Sequence, residues 1–147
     1  MPDHMTPEQR SRAMKRVKLR NGSLERIVQQ ELKARRLKFR RHVRSLPGNP
    51  DIVFYGSKVA LFIDGDFWHG WRLPAWEHKL SPFWRDKLRT NRERDRRNFN
   101  KLRSSGWKVI RLWQHQIASN LEGSIAKVTG TIASKIEDEV GGVTMSM

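Results

Sequence analysis

The segment "FIDGDFWHG", residues 62–70, ends an apolar stretch with Asp64 and Asp66 and then places Phe67, Trp68 and His69 in succession. Three further acids draw attention: Glu25, Asp51 and Asp95. Carboxylates and an imidazole in a cationic protein suit the hydrolysis of a phosphodiester. Mg2+ prefers one or two carboxylates, with water and phosphate oxygens completing its shell. The ion lowers the pKa of an attacking water and offsets charge on the leaving oxygen. An imidazole such as that of His69 is suited to accept the water's proton near neutral pH. Each residue also has a plainer role open to it. Glu25 would complement a helix dipole, Asp51 would end a turn after Pro50, and His69 would bond a loop. Asp95 would pair with an arginine of "RERDRR". Spacing alone leaves Phe67 and Trp68 open to plain core packing.

Chemistry of this kind requires the acids to converge, and the elements around them give a route. Ser23 reads as an N-cap, and Leu24, Ile27, Val28 and Leu32 recur at helical spacing, predicting an amphipathic helix to about Lys38 with Glu25 in its first turn. "SLPGNPD" is a loop. "IVFY" and "KVALFID" follow as short apolar runs parted by Gly56 and Ser57, which predicts a hairpin. Val59 to Ile63 is apolar without alternation, as in a central strand covered on both faces. Asp51 then precedes one strand and Asp64 ends its neighbour. Their separation of 13 residues brings the two strand ends side by side.

"WRLPAWEHKLS" is expected to be irregular. Ser81 and Pro82 form an N-cap and first-turn pair for a long helix to about Ser104, with Gly106 as its stop. Its inward stripe reads Leu88, Asn91, Asp95, Phe99, Leu102, so that a carboxylate and an amide interrupt an apolar face. An unpaired charge there costs several kcal/mol or more, so Asp95 must find a partner. "WKVIRLW" is a third strand, and Leu121, Ile125, Val128, Ile132 and Ile136 define a last helix, weakened by Gly130. The order predicts an α/β fold, a small mixed sheet flanked by helices.

The chain of 147 residues suits one domain. It has 30 Lys and Arg against 15 Asp and Glu, a net charge of +15. A polyanion is the natural partner, with nucleic acid favoured over a membrane surface, a ribosomal role or charge kept for solubility. No apolar run approaches bilayer length, and the first residues lack the apolar segment of a signal peptide, so an intracellular protein is expected. There is no cysteine, which removes disulfides and any Cys-bearing zinc site. A start at Met5 is expected. Residues 1–22 read as a basic arm, 23–140 as a single domain, and 141–147, "GGVTMSM", as a disordered tail.

"LPGNPDIVF", "FIDGDFWHG" and "FWRDKLRTNRERDRRNFNKLRSSGWKVIRLWQHQI" together resemble the very-short-patch repair (Vsr) endonucleases, in the same order and spacing and over nearly the whole chain up to about Ile117. The resemblance implies a restriction-endonuclease-like core of the PD-(D/E)xK type and a Mg2+-dependent enzyme, with Mn2+ as a substitute, that nicks double-stranded DNA beside a T:G mismatch. It implies that Asp51 binds the metal and His69 is catalytic, with Glu25 and Asp95 as supporting acids. Phe67 and Trp68, helped by Trp84, would form a wedge between base pairs. Unstacking a step costs about a few kcal/mol and least where pairing is already faulty. The arm around Met14, with Arg12, Lys15 and Arg16, would clamp the duplex through its phosphates. Asn91 and Asp66 would support the site.

Two departures stand out. Ile63 and Asp64 occupy the place of a Thr-His pair, which suggests Asp64 as a second acidic metal ligand beside Asp51. Asp66 stands where the first cysteine of a structural zinc site falls, so no structural zinc is expected. A monomer in the cytoplasm of a bacterium or phage host, at the nucleoid, is implied. A site-specific or homing-type nuclease without mismatch preference, a DNA-binding protein that does not cut, and an RNA nuclease remain the alternatives.

Overall fold

A computed structural model describes residues 22–145 of the chain, with side chains described through residue 135. Helix α1 covers 22–34. Strands β1 (Arg40–Arg41), β2 (Ile52–Phe54) and β3 (Val59–Asp64) follow, then α2 (Leu73–Trp76), a single 3-10 turn (Glu77–Lys79), α3 (Pro82–Ser104), β4 (Lys108–Trp113), α4 (Gln114–Ser119) and α5 (Leu121–Met145). The sheet order is β1-β2-β3-β4. β1, β2 and β3 pair antiparallel, whereas β3 and β4 pair parallel from Val59↔Lys108 to Asp64↔Trp113. A parallel pair needs a long crossover, and α2 with α3 supplies it. The mixed α/β architecture agrees with the expected fold class.

β3 is buried along its whole length because both of its faces are covered. Leu61 and Ile63 pack with Val28 and Leu32 of α1 and with Ile117, Ile125, Val128 and Ile132 of α4 and α5. Ala60 and Phe62 face the other way, onto Phe99 and Leu102 of α3. Alternation along β3 therefore turns Asp64 toward α3, and it turns Arg111 of β4, opposite Phe62 in the ladder, to that same side. The expected stripe of α3 is buried as Leu88, Asn91, Asp95, Phe99 and Leu102, joined by Trp84.

Several boundaries differ from expectation. Ser23 lies inside α1 and is not its N-cap, and α1 stops at residue 34, short of Lys38. Arg36 adopts a left-handed conformation at φ 61, Leu37 N–H bonds Leu32 O, and Arg36 N–H bonds Lys33 O. This is a Schellman closure without glycine, sealed by Leu37 packing on the core that holds Leu32. The same closure at Gly106 (φ 87), with Trp107 N–H on Leu102 O, ends α3 where the sequence places its stop. Residues 73–79, expected to be irregular, are helical because Pro74 presets the first turn of α2. At the other end α5 runs through Gly130 and on to Met145, so 141–145 continue the helix where a disordered tail was expected. Extending an existing helix costs far less than starting one. The arm, with Arg12, Met14, Lys15 and Arg16, lies outside the described residues.

Candidate active site

Asp51 sits one residue ahead of β2. Its N–H bonds Leu61 O at 3.0 Å, and its Oδ2 accepts Ile63 N–H at 2.7 Å. The carboxylate is thus fixed across the mouth of the hairpin. Its backbone O accepts the N–H of His42, 2.9 Å away, in the residue after β1. His42 in turn reaches Glu25 of α1, Nε2 to Oε1 at 3.1 Å, and Gln29 Nε2 donates to the same oxygen at 3.2 Å. One potential ligand atom from each of Glu25, His42 and Asp51 lies within 4.8 Å of the others. Burial pushes the Asp51 carboxyl up to about 7, and the negative charges of Glu25 and Asp64 add to the rise against the Ile63 N–H and the charge of His69. Burial raises Glu25 as well, with His42 and Arg41 opposing.

Asp64, at the end of β3, belongs to a second cluster. Arg111 Nε lies 2.6 Å from Asp64 Oδ2, and its Nη2 lies 2.7 Å from Asp95 Oδ2. His69 bridges the same two acids, Nδ1 at 2.7 Å from Asp95 Oδ2 and Nε2 at 3.4 Å from Asp64 Oδ1. For Asp95 burial works upward, but the His69 hydrogen bond and charge, joined by Arg111, hold the carboxyl below its usual range. Asp95 therefore has the partners that its place on the apolar face of α3 demands. Removing Arg111 would leave two acids buried to 7% and 11% side-chain exposure without their guanidinium. Arg111→Met is expected to destabilise the fold by about 3–5 kcal/mol, read from urea unfolding at pH 7. A loss below about 1 kcal/mol would mean that water already solvates these acids.

The two residues just before His69 belong to an aromatic shelf. Phe67 stacks on Trp76 (centroids 5.7 Å apart, planes at 27°) and meets Trp84 edge-on at 5.9 Å. Trp68 contacts Trp84 at 6.3 Å, and Lys87 lies over its ring. Phe67 and Trp68 are half-buried and Trp84 is 6% exposed, whereas Phe83, one residue earlier, is 63% exposed. The rings thus pack on one another while keeping an open face. Asn91 Nδ2 donates to Trp68 O at 2.9 Å, which ties the shelf to α3. Asp66 anchors its other side: Oδ1 bonds His115 Nδ1 at 2.7 Å, and the His115 ring lies 4.3 Å from that of Trp71. Asp66 takes an imidazole partner at the position where the family resemblance implies a zinc cysteine. Gly70, at φ 67, closes the loop. A Cβ there would come within 2.9 Å of Arg92 Cδ on an already left-handed backbone, so this turn favours glycine.

Glu25, Asp51, Asp64, His69 and Asp95 all converge at the adjacent ends of β2 and β3. Asp51 and Asp64, expected as one metal-binding pair, fall in neighbouring clusters, and only Asp64 carries an arginine. The sequence reading missed His42, Arg111, His115 and Phe83. Arg111 had a signal, as the one charged residue inside "VIRLW". His42 had none, because its pairing depends on a strand of only two residues.

A family model described as "DNA mismatch endonuclease Vsr" matches residues 2–74. The chain is 36% identical over 120 residues to the type II nicking enzyme V.XorIIP of Xanthomonas oryzae, covering 80% of this chain and 88% of that protein. It is 37% identical over 124 residues to the type II nicking enzyme V.HpaIIP of Haemophilus parainfluenzae, with 82% and 88% covered. It is 34% identical over 110 residues to the DNA mismatch endonuclease Vsr of Escherichia coli, with 71% and 69% covered. With a mixed sheet that gathers acids and a histidine at its central strand ends, this chain belongs to the Vsr endonuclease family, whose fold is restriction-endonuclease-like.

Proposed function

We propose that the protein nicks one strand of duplex DNA at a T:G mismatch, with Mg2+ at the Asp51 cluster and Mn2+ able to replace it. One observation carries the reading: acids from α1, from just before β2, from β3 and from α3 meet the imidazoles of His42 and His69 beside an aromatic shelf on a chain of net charge +15. The donor set of Asp51 and Glu25 suits a divalent cation, and no guanidinium or ammonium forms an ion pair with either acid among the described residues. Bound there, the cation would lower the pKa of the attacking water and offset charge on the phosphate.

The chain's own groups supply the rest. His69 Nε2 takes the proton from water while Asp95 holds Nδ1, the arrangement that fixes a tautomer and steadies the imidazolium. Arg111 helps His69 hold the Asp95 carboxyl below its usual range, so that a proton arriving on His69 meets negative charge at Nδ1, whereas at Asp64 burial outweighs Arg111 and His69 and raises the carboxyl. Asp64, held by Arg111, acts on that proton and supports Asp51 as a neighbouring acid. Phe67 and Trp68 enter the base stack, with Trp84 as the floor beneath them. The cost of opening a step is lowest at a mispair, which gives the preference a physical basis. Met14, Arg12, Lys15 and Arg16 clamp phosphates of the duplex. A single small site without an evident dimerisation stripe in the sequence suits a monomer cutting one strand.

The deciding experiment is strand-resolved cleavage of labelled duplexes, T:G-mismatched and matched, with Mg2+ and with EDTA, comparing wild type and Asp51→Ala. Metal-dependent nicking of the mismatched strand, lost in the variant, is the expected result. Equal cutting of both duplexes would keep the nuclease and remove the repair role. Tight binding without cutting on either duplex would leave a DNA-binding protein.

Trp68→Ala tests the wedge. It is expected to lower turnover on mismatched DNA by about 10-fold or more, through the lost payment for unstacking, with non-specific affinity changed less than about 3-fold. Equal losses in both would remove the wedge from the mechanism.

A further inference from the structure

The two acid clusters differ in charge compensation. Asp64 and Asp95 share Arg111, whose guanidinium lies within 2.7 Å of each. Around Asp51 no guanidinium makes such a contact among the described residues: Gln29 and His42 bond Glu25, the Ile63 N–H bonds Asp51, and Arg41 acts on Glu25 through its charge without an ion pair, its guanidinium bonding Gln29. Two carboxylates that crowd each other in a partly buried pocket have a place for a cation.

The pocket also holds a nitrogen donor. We propose that His42, with Glu25 and Asp51, forms a mixed nitrogen and oxygen seat for the divalent cation, and that its imidazole biases the site toward transition ions such as Mn2+ and Co2+ over Mg2+. The proposal rests on the reading that a cation works beside Asp51, and it adds a ligand to that site.

The geometry suits the role. Glu25 Oε1 and His42 Nε2 are 3.1 Å apart. Adjacent ligands on an octahedral ion with bonds of about 2.1 Å stand about 3.0 Å apart, so this pair already has the spacing of neighbouring ligands. The third donor lies within the 4.8 Å envelope of the cluster. His42 is also held from both sides. Its N–H bonds Asp51 O at 2.9 Å, the next N–H bonds Pro50 O at 3.1 Å, and its own backbone is left-handed at φ 51. A side chain that is 59% exposed is thereby kept against Glu25 with its backbone tied to Asp51 itself.

Chemistry then sets the preference. Mg2+ is a hard ion that favours oxygen and sheds its waters reluctantly. Imidazole nitrogen adds affinity in the order of the first transition series, in which Co2+ exceeds Mn2+. A site of two carboxylates and one imidazole therefore binds Co2+ more tightly than Mg2+, and the margin depends on His42.

The test is Co2+ titration of the full chain, without DNA, followed by visible absorption and by calorimetry with Mg2+ as competitor. Wild type is compared with His42→Asn, since asparagine tolerates a left-handed backbone, and with Glu25→Gln. His42→Asn is expected to weaken Co2+ by about 10-fold or more, to change the Co2+ spectrum, and to leave Mg2+ within about 2-fold. Glu25→Gln is expected to weaken both ions. Thermal melting without metal verifies that each variant is folded. An unchanged Co2+ to Mg2+ ratio in His42→Asn would overturn the role of His42 and leave the nicking reading intact. Nicking that persists in EDTA would instead overturn the metal-dependent reading itself.

Discussion

Asp51→Asn is expected to reduce nicking by about 10³-fold or more, through loss of a charged ligand to the cation, while raising the melting temperature of the cation-free protein at pH 8. The two effects share one cause. The Asp51 carboxyl is raised from an ordinary 3.8 to about 7 by burial and by its acidic neighbours. The folded chain therefore holds a proton that the unfolded chain releases near 3.8. Between about pH 4 and pH 7 the unfolded state binds fewer protons at this site, so its contribution to stability declines as pH rises and is fully lost above about 7. At roughly 1.4 kcal/mol per pK unit, the penalty at pH 8 is about 4 kcal/mol at most.

Asparagine keeps an oxygen for the Ile63 N–H and removes the charge. Its advantage over aspartate is accordingly large at pH 8 and small at pH 5. Melting at both pH values, with EDTA present, measures it, and a variant less stable than wild type at pH 8 would mean that the carboxylate is already compensated in the resting protein. The same shift makes metal and proton compete for Asp51. Wild-type nicking at subsaturating Mg2+ is expected to fall about 10-fold per pH unit below about 7, with the midpoint moving lower as Mg2+ is raised. A midpoint that ignores the Mg2+ concentration would place the titrating group elsewhere.

What the sequence made legible follows the reach of local rules. The α3 stripe from Leu88 to Leu102 is a period of 3.6 and is buried as read. The positions of Asp51 and Asp64 follow from two apolar runs and a short turn, although the left-handed residue of that turn is Lys58 and not Gly56. Neither case needs knowledge of distant residues. The rest of the site depends on pairings between segments far apart in the chain. Arg111 meets Asp64 because β4 runs parallel to β3, and hydrophobic pattern does not specify strand direction. His42 meets Asp51 through two edge hydrogen bonds beside a strand of only two residues, too short to carry an alternation. Asp66 finds His115 across 49 positions. Chain ends of α1 were missed for a related reason: Arg36 occupies the left-handed position where glycine is the usual signal. The resemblance to a family is what assigned roles to Asp51 and His69, where spacing alone left plainer roles open.

The division between the two clusters leads to a second large effect. His69→Ala is expected to lower the rate of nicking by about 10²–10⁴-fold, the range for removal of a positioned general base, without weakening Mg2+ at Asp51 by more than about 2-fold. His69 touches Asp64 and Asp95 and has no place in the Glu25, His42 and Asp51 group. Proton transfer and cation binding are thus assigned to separate sets of side chains, and they should separate in experiment. Asp95→Asn supplies the contrast. Its amide presents an N–H or an oxygen to His69 Nδ1, either blocking the bond or failing to steady the imidazolium, so a loss of rate close to that of His69→Ala is expected. If His69 and Asp95 act as one unit, the double variant loses little more than either single one. Rates that multiply across the pair would mean that each acts alone, and a His69→Ala variant with weakened Mg2+ and an unchanged saturated rate would assign the imidazole to the metal. In that case the proton would have to leave by another group, with Asp64, the acid at His69 Nε2, as the candidate to receive it.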